Sequence, residues 1–80
     1  MQIEELVSFL VKSIVNDKDA VAVRRYDDED FISIEVMVDS SDMGAIIGKN
    51  GVIANSIRTI AQAAAYSNGL KKVKINFDSF

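Results

Sequence analysis

The sequence predicts an α+β fold in the order α-β-β-α-α-β, with a three-stranded mixed sheet carrying three helices on one face. Three observations predict it. Residues 3–15 and 52–67 repeat apolar side chains at three- and four-residue spacing, the mark of one helical stripe. Residues 21–24, 32–38 and 73–77 alternate apolar with polar, the period of a strand with one buried face. Two helical patterns separate the second strand from the third, and a right-handed crossover of that kind makes the strands it joins parallel neighbours.

Each element has its own warrant. In the first helix Ile3, Leu6, Val7, Leu10, Val11, Ile14 and Val15 form the stripe. Glu4 and Glu5 stand in its first turn, where the helix dipole favours acids, and "NDKD" at 16–19 ends it. Val21 and Val23 then alternate with Ala22 and Arg24. After the acidic run "DDED", Ile32, Ile34, Val36 and Val38 alternate with Ser33, Glu35, Met37 and Asp39. These two strands form an antiparallel hairpin about the acidic turn. Ser40 or Ser41 is placed to cap the next helix, a short one with Met43, Ile46 and Ile47 on its apolar face. A longer helix runs from Val52 to about Ser67. Ile53, Ile57, Ile60, Ala61 and Ala64 are expected on its core face, with Ala54 and Ala65 outside it and Asn55, Arg58 and Gln62 opposite. Asn68-Gly69 stops it, since both tolerate the left-handed conformation. Val73, Ile75 and Phe77 complete a third strand, and the expected strand order is 1-2-3. Arg24, Tyr26, Ser33, Glu35, Lys72 and Lys74 fall on the outer face of the sheet, which suits solvent.

Composition narrows the function. The chain has 80 residues, no histidine and no cysteine, so Ser-His catalysis, disulfides and thiolate or imidazole metal sites are excluded. No apolar run approaches the roughly 20 residues of a membrane span. The start, "MQIEELVSFL", is acidic rather than basic, unlike a signal peptide, so a cytoplasmic protein is expected. There is no linker or repeat, and one domain over residues 1–80 is expected. The net charge of −3 lacks the basic balance of a strong nucleic-acid binder. The acidic stretch "YDDED" at 26–30 has no calcium-loop spacing and reads as a solvated turn. "LKKVK" at 70–74 reads as a solubilising strand face. No metal, cofactor or catalytic residue is expected.

One stretch asks for a function. "IIGKNG" at 46–51 sets two glycines around two polar residues, directly after an isoleucine pair. Glycine inside an element costs stability. Here the pair joins two helices, with Gly51 just before the second N-terminus, where free N–H groups attract anions. Without Cβ atoms the turn admits another backbone closely. Lys49 and Asn50 are displayed between the glycines, and Ile47 and Ile53 can floor a groove for bases. Other glycine motifs fit worse. "GAIIGKN" has three residues where a phosphate-binding P-loop has four, lacks its hydroxyl and follows a helix. Only the last G-x-x-G of a dinucleotide fingerprint is present.

With these residues in view, "MGAIIGKNGVIANSIRTIAQAAA" resembles the core of a KH domain, whose G-x-x-G loop clamps four nucleotides. The element order is similar to the bacterial, type II arrangement. The length and the "EELVSFLVKSIV" opening are similar to the small stand-alone bacterial KH proteins, the KhpA family. The resemblance covers the whole chain. It implies a single-stranded RNA-binding protein, a post-transcriptional regulator or RNA chaperone, without enzymatic activity. It places the loop on Gly48, Lys49, Asn50 and Gly51, the apolar groove on Ile47 and Ile53, and the helix arginine on Arg58. For Arg58, contact to RNA and exposure to solvent both remain open. The small residues Ala54 and Ala65, expected outside the core stripe, would let helix 52–67 pair closely with another subunit, as a homodimer or heterodimer, and the resemblance implies a KhpB-type (Jag/EloR) KH protein as partner. Ala45 and Val52 stand where many relatives carry basic residues. The alternative function is a protein-interaction module with weak or vestigial RNA binding.

Overall fold

The computed structural model describes residues 1–80. Its elements are α1 (Ile3–Lys12), β1 (Ala22–Asp27), β2 (Phe31–Val38), α2 (Met43–Ile47), α3 (Val52–Ser67) and β3 (Lys72–Ser79). Short 3-10 turns at Lys18–Ala20, Ser40–Asp42 and Lys49–Gly51 lie between them. The strand order is β1-β2-β3. β1 and β2 are antiparallel, with Val23 opposite Val36. β2 and β3 are parallel, with Ile34 opposite Ile75. The element order and the strand pairing are the expected ones.

The central strand supplies most of the core. Ile32, Ile34, Val36 and Val38 are all buried on its inner face, each worth about 1.5–3 kcal/mol when removed from water. Ile3, Val7 and Val11 of α1, Ile46 of α2 and Ile75 of β3 join them in one cluster. The outer face of the sheet is wetter. Arg24, Tyr26, Glu35, Lys72 and Lys74 are exposed there and Ser33 is half-buried. The Lys74 ammonium sits 3.7 Å from the centre of the Phe31 ring.

Three local expectations need correction. First, α1 ends at Lys12, one turn before its apolar pattern does. The Ser13 hydroxyl donates to the Phe9 carbonyl at 2.7 Å. The β-branched Ile14 and Val15, followed by Asn16 and Asp17, are poor helix formers. Val15 is buried all the same, reaching the core from the connecting turn. Second, neither Ser40 nor Ser41 caps a helix through its side chain. The Asp39 carboxylate takes that role, accepting from the Ser41 N–H at 3.0 Å. Third, the core stripe of α3 is Ala54, Ile57, Ala61 and Ala65, so Ala54 and Ala65 lie inside it. Ile60, expected within it, is 46% exposed. At about 100° per residue, positions 54, 57, 61 and 65 share one face and position 60 falls outside it. Alanine on that face lets α3 pack closely against α1 and β3.

Asp42 was not expected to matter and is the one buried charged residue, 1% exposed. Its two carboxylate oxygens accept from the Asn16 and Asp17 N–H groups, each at 3.1 Å. It thereby ties the segment after α1 to the start of α2, and satisfies two backbone donors that the early end of α1 leaves free.

The β1–β2 turn is closed by its own acids. The Asp28 carboxylate accepts from the Asp30 N–H at 2.8 Å and the Phe31 N–H at 2.7 Å, an Asx-type turn. Those two bonds, with Phe31 first, hold the Asp28 carboxyl below its ordinary range. The Lys71 ammonium donates to the Asp28 carbonyl. Arg25 pairs with Asp27 at 2.7 Å and with Glu4 at 2.9 Å.

Candidate nucleic-acid interface

The turn between α2 and α3 is built on three residues with positive φ. Gly48 closes α2, its N–H donating to the Gly44 carbonyl at 2.9 Å, and then adopts φ 68°, ψ −174°. This is a glycine-only region of backbone space. A Cβ on Gly48 would also run into the Ile53 side chain and lie 3.3 Å from the Ile53 nitrogen. Asn50 (φ 57°) and Gly51 (φ 75°) are left-handed. The chain thus turns three times within four residues and starts α3 at Val52.

This geometry leaves polar groups unused. No side chain caps the N-terminus of α3, so first-turn N–H groups are left for an outside acceptor. Lys49 and Asn50 are exposed. Both ion pairs of the molecule belong to Arg25, so Lys49 enters none. Ile47, just before the turn, is 44% exposed. Ile53, just after it, is half-buried and packs on the core. Gly48, Lys49, Asn50, Gly51, Ile47 and Ile53 are therefore brought together, as the spacing implies.

The loop lies at the opposite end of the molecule from the acidic hairpin turn. The last residues of α3 lead into β3, whose first residue pairs beside Phe31 at that turn. A helix of 16 residues is about 24 Å long, and the loop sits at its other end.

Arg58 is placed differently. Its Nε donates to the Ile75 carbonyl at 3.2 Å and its guanidinium to the Asn55 side-chain oxygen at 2.9 Å. The guanidinium carbon lies 5.2 Å from the centre of the Phe77 ring. Arg58 thus spans from α3 to the free edge of β3 while remaining exposed.

Gln62, one turn further, does the same. Its Oε1 accepts from the Val73 N–H at 2.8 Å. Its Nε2 is buried and has no partner. Nothing in the sequence singled out these two contacts, because they depend on which helical residues overhang the sheet edge. Asn55, Arg58 and Gln62 fall together on one side of α3, but beside its core face rather than opposite it, because that face is turned toward Ala54 and Ala65.

On the other exposed flank of α3, Val52 (57% exposed) and Ile60 lie beside Asn55, Ser56 and Thr59 in a shallow groove.

Residues 4–77 match the family described as KhpA/KhpB, KH domain. An "RNA-binding protein KhpA" of Clostridium perfringens is 41% identical over 70 residues, covering 88% of this chain and 93% of the relative. One of Caldanaerobacter subterraneus is 46% identical over 61 residues, covering 76% and 81%. Among solved structures, Era of Aquifex aeolicus, crystallised with GDP and aluminium fluoride, superimposes with a TM-score of 0.76 at 18% identity. That match covers 98% of this chain but 30% of Era, and it speaks to the fold alone.

Proposed function

Because the chain belongs to the KhpA/KhpB KH-domain family, we propose that it is a single KH domain over residues 1–80 that binds single-stranded RNA and does no chemistry on it. One observation carries this reading. The loop 48–51 leaves its lysine, its asparagine and the uncapped start of α3 without internal partners, beside the exposed Ile47. The Gly48–Gly51 backbone and Lys49 hold the sugar-phosphate chain, and Asn50 adds a hydrogen-bonding group. Ile47 and Ile53 supply an apolar floor for bases, and Arg58 flanks it from α3. The protein works in the cytoplasm as a post-transcriptional regulator or RNA chaperone, with a KhpB-type KH protein as partner.

The test is a titration of fluorescent single-stranded RNA against the wild type and the double variant Lys49→Asp, Asn50→Asp. With about three phosphates engaged, log affinity falls with log salt at a slope near −2. The double variant, carrying its changes on exposed residues, keeps its melting temperature within about half a kcal/mol of stability and loses RNA binding. Unchanged affinity in the folded variant overturns the reading.

A second reading has its own observation. Val52 and Ile60 are large apolar side chains exposed together on α3, and the net charge is acidic. On that reading the flank is a homodimer or heterodimer surface and RNA binding is weak or vestigial. Because Ile60 is exposed, Ile60→Asp leaves the fold intact and shifts sedimentation from dimer to monomer. A monomeric wild type removes the homodimer form of this reading.

A further inference from the structure

We infer that Asn50 is a site of spontaneous modification, at which the Gly51 backbone nitrogen displaces the side-chain amide and the carboxylate left behind closes the loop to phosphate. The site follows from the turn itself, and only its consequence rests on the proposed function. The chain holds two Asn-Gly pairs, 50–51 and 68–69. Asparagine is among the thermolabile residues, and a following glycine, with no Cβ, leaves the next nitrogen open to the asparagine side chain.

The step needs only the chain and water. The Gly51 nitrogen gives its proton to a base in solvent and bonds to the Asn50 Cγ. The Cγ–Nδ2 bond breaks, and Nδ2 takes up a proton and leaves as ammonia. Water then opens the five-membered imide. Opening at Cγ gives aspartate. Opening at the main-chain carbonyl gives isoaspartate, with the chain now running through Cβ and Cγ. Either product replaces a neutral amide with a carboxylate.

The turn is one peptide rotation from the geometry this ring requires. Asn50 (φ 57°, ψ 27°) and Gly51 (φ 75°, ψ 12°) form a type I′ turn, closed by the Val52 N–H donating to the Lys49 carbonyl. Rotating the 50–51 peptide plane converts it to type II′, which keeps φ at Asn50 and sets its ψ to about −120°. There the Gly51 nitrogen eclipses the Asn50 Cβ, as in the ring. Gly51 must take a negative φ, which glycine does freely. The closing bond of the turn is kept. The bond given up is that from the Gly51 N–H to the Gly48 carbonyl, at 3.4 Å, beyond the usual range of about 2.7–3.2 Å. The Asn50 side chain is exposed.

The second pair is held. The Asn68 Nδ2 donates to the Ala64 carbonyl at 2.8 Å. The Gly69 N–H donates to the Tyr66 carbonyl at 3.1 Å, and the Leu70 N–H to the Ala65 carbonyl at 2.9 Å. Turning the 68–69 peptide over undoes the end of α3. Asn50 is therefore the faster of two chemically identical pairs. Its new carboxylate lies in the loop beside Lys49 and the uncapped start of α3, where it repels phosphate and competes for the same N–H groups. RNA seated on the loop backbone hinders the rotation, so occupied loops are protected and empty ones age.

The experiment incubates the folded protein at physiological temperature and mildly alkaline pH, with and without saturating single-stranded RNA. Samples taken over days are peptide-mapped by mass spectrometry, probed with an isoaspartate-specific methyltransferase, checked by circular dichroism and titrated with labelled RNA. Asn50 is expected to convert about tenfold or more ahead of Asn68, the effect of the hydrogen bonds that the second pair must break. Conversion speeds up with pH and slows under RNA, and affinity falls in step with the fraction converted. In denaturant the two pairs convert alike. Asn50→Gly accepts the positive φ and has no amide to lose, so its own affinity stays constant through the incubation. Asn68 converting as fast as Asn50 in the folded protein overturns the inference, and so does conversion at Asn50 that leaves RNA affinity unchanged. Fresh protein without RNA affinity fails the proposed function instead, and the two conversion rates still decide the modification.

Discussion

Two tight polar turns sit at opposite ends of this molecule, and they spend their polar groups in opposite ways. In the hairpin turn after β1, the Asp28 carboxylate takes two backbone N–H groups, Lys71 reaches the Asp28 carbonyl, and Arg25 holds Asp27. In the turn between α2 and α3, Lys49 enters no ion pair and the start of α3 has no side-chain cap. The more heavily charged turn is the closed one. The number of charged residues in a turn says little about its use. Whether their hydrogen bonds are already made inside the chain says much more. A turn with its groups satisfied is a joint, and one with groups unspent is available to a ligand.

The sharpest way to break this contrast is through the backbone of the open turn. Gly48→Ala forces an L side chain into a glycine-only conformation, at about 1–3 kcal/mol, and drives its Cβ into Ile53. At about 4–8 °C per kcal/mol for a domain of this size, the melting temperature drops clearly in a thermal scan. An unshifted transition would mean that the loop backbone is softer than its dihedrals imply. A smaller effect is expected at the closed turn. Asp28→Ala removes the acceptor of two N–H groups, lowering the melting temperature by less than Gly48→Ala and leaving RNA affinity untouched.

That second variant also has a signature in pH. The folded-state pKa of Asp28 lies below its ordinary value. Its contribution is therefore fully present above the unfolded value, near 4, and is lost as pH falls through the folded one. The gap in melting temperature between wild type and Asp28→Ala is constant at neutral pH and closes in acid. A gap that widens in acid would contradict the hydrogen bonds assigned to this carboxylate.

The smallest effect, and of opposite sign, is expected at Gly44. It lies inside α2 with nothing within 4 Å of where a Cβ would be. Gly44→Ala should stabilise by about 0.5–1 kcal/mol, read in denaturant melts, with RNA affinity unchanged. The two glycines four residues apart then separate cleanly, one dispensable and one not.

Much of this was legible in the sequence, for identifiable reasons. The alternation at 32–38 needs only one buried face to show itself, and β2 has one. The glycine turn announced its place because two glycines and two polar residues between helices have few other uses. What stayed hidden depended on how elements meet. Ile60 reads as core by its size, but the angle of α3 and its close approach to α1 and β3 select Ala54 and Ala65 instead. Asp42 looks like one more polar residue of a cap, and only the early end of α1 gives its carboxylate two donors to receive. Arg58 and Gln62 were expected opposite the core and instead flank it, because the core face of α3 is turned toward Ala54 and Ala65. That they reach the edge of β3 follows from the sheet extending past α3, which no local pattern records.

The dihedral angles of Gly48 have a stereochemical consequence. A residue at φ 68°, ψ −174° is the mirror image of one at φ −68°, ψ 174°, an ordinary extended conformation for L-amino acids. Position 48 is thus suited to a residue of the opposite hand. D-alanine would sit there without backbone strain, its methyl group leaving Cα on the side away from the position that meets Ile53. Ribosomal synthesis offers no such residue, and among the genetically encoded amino acids only the achiral one can stand in for it. The requirement at the centre of this loop is one of handedness rather than of size.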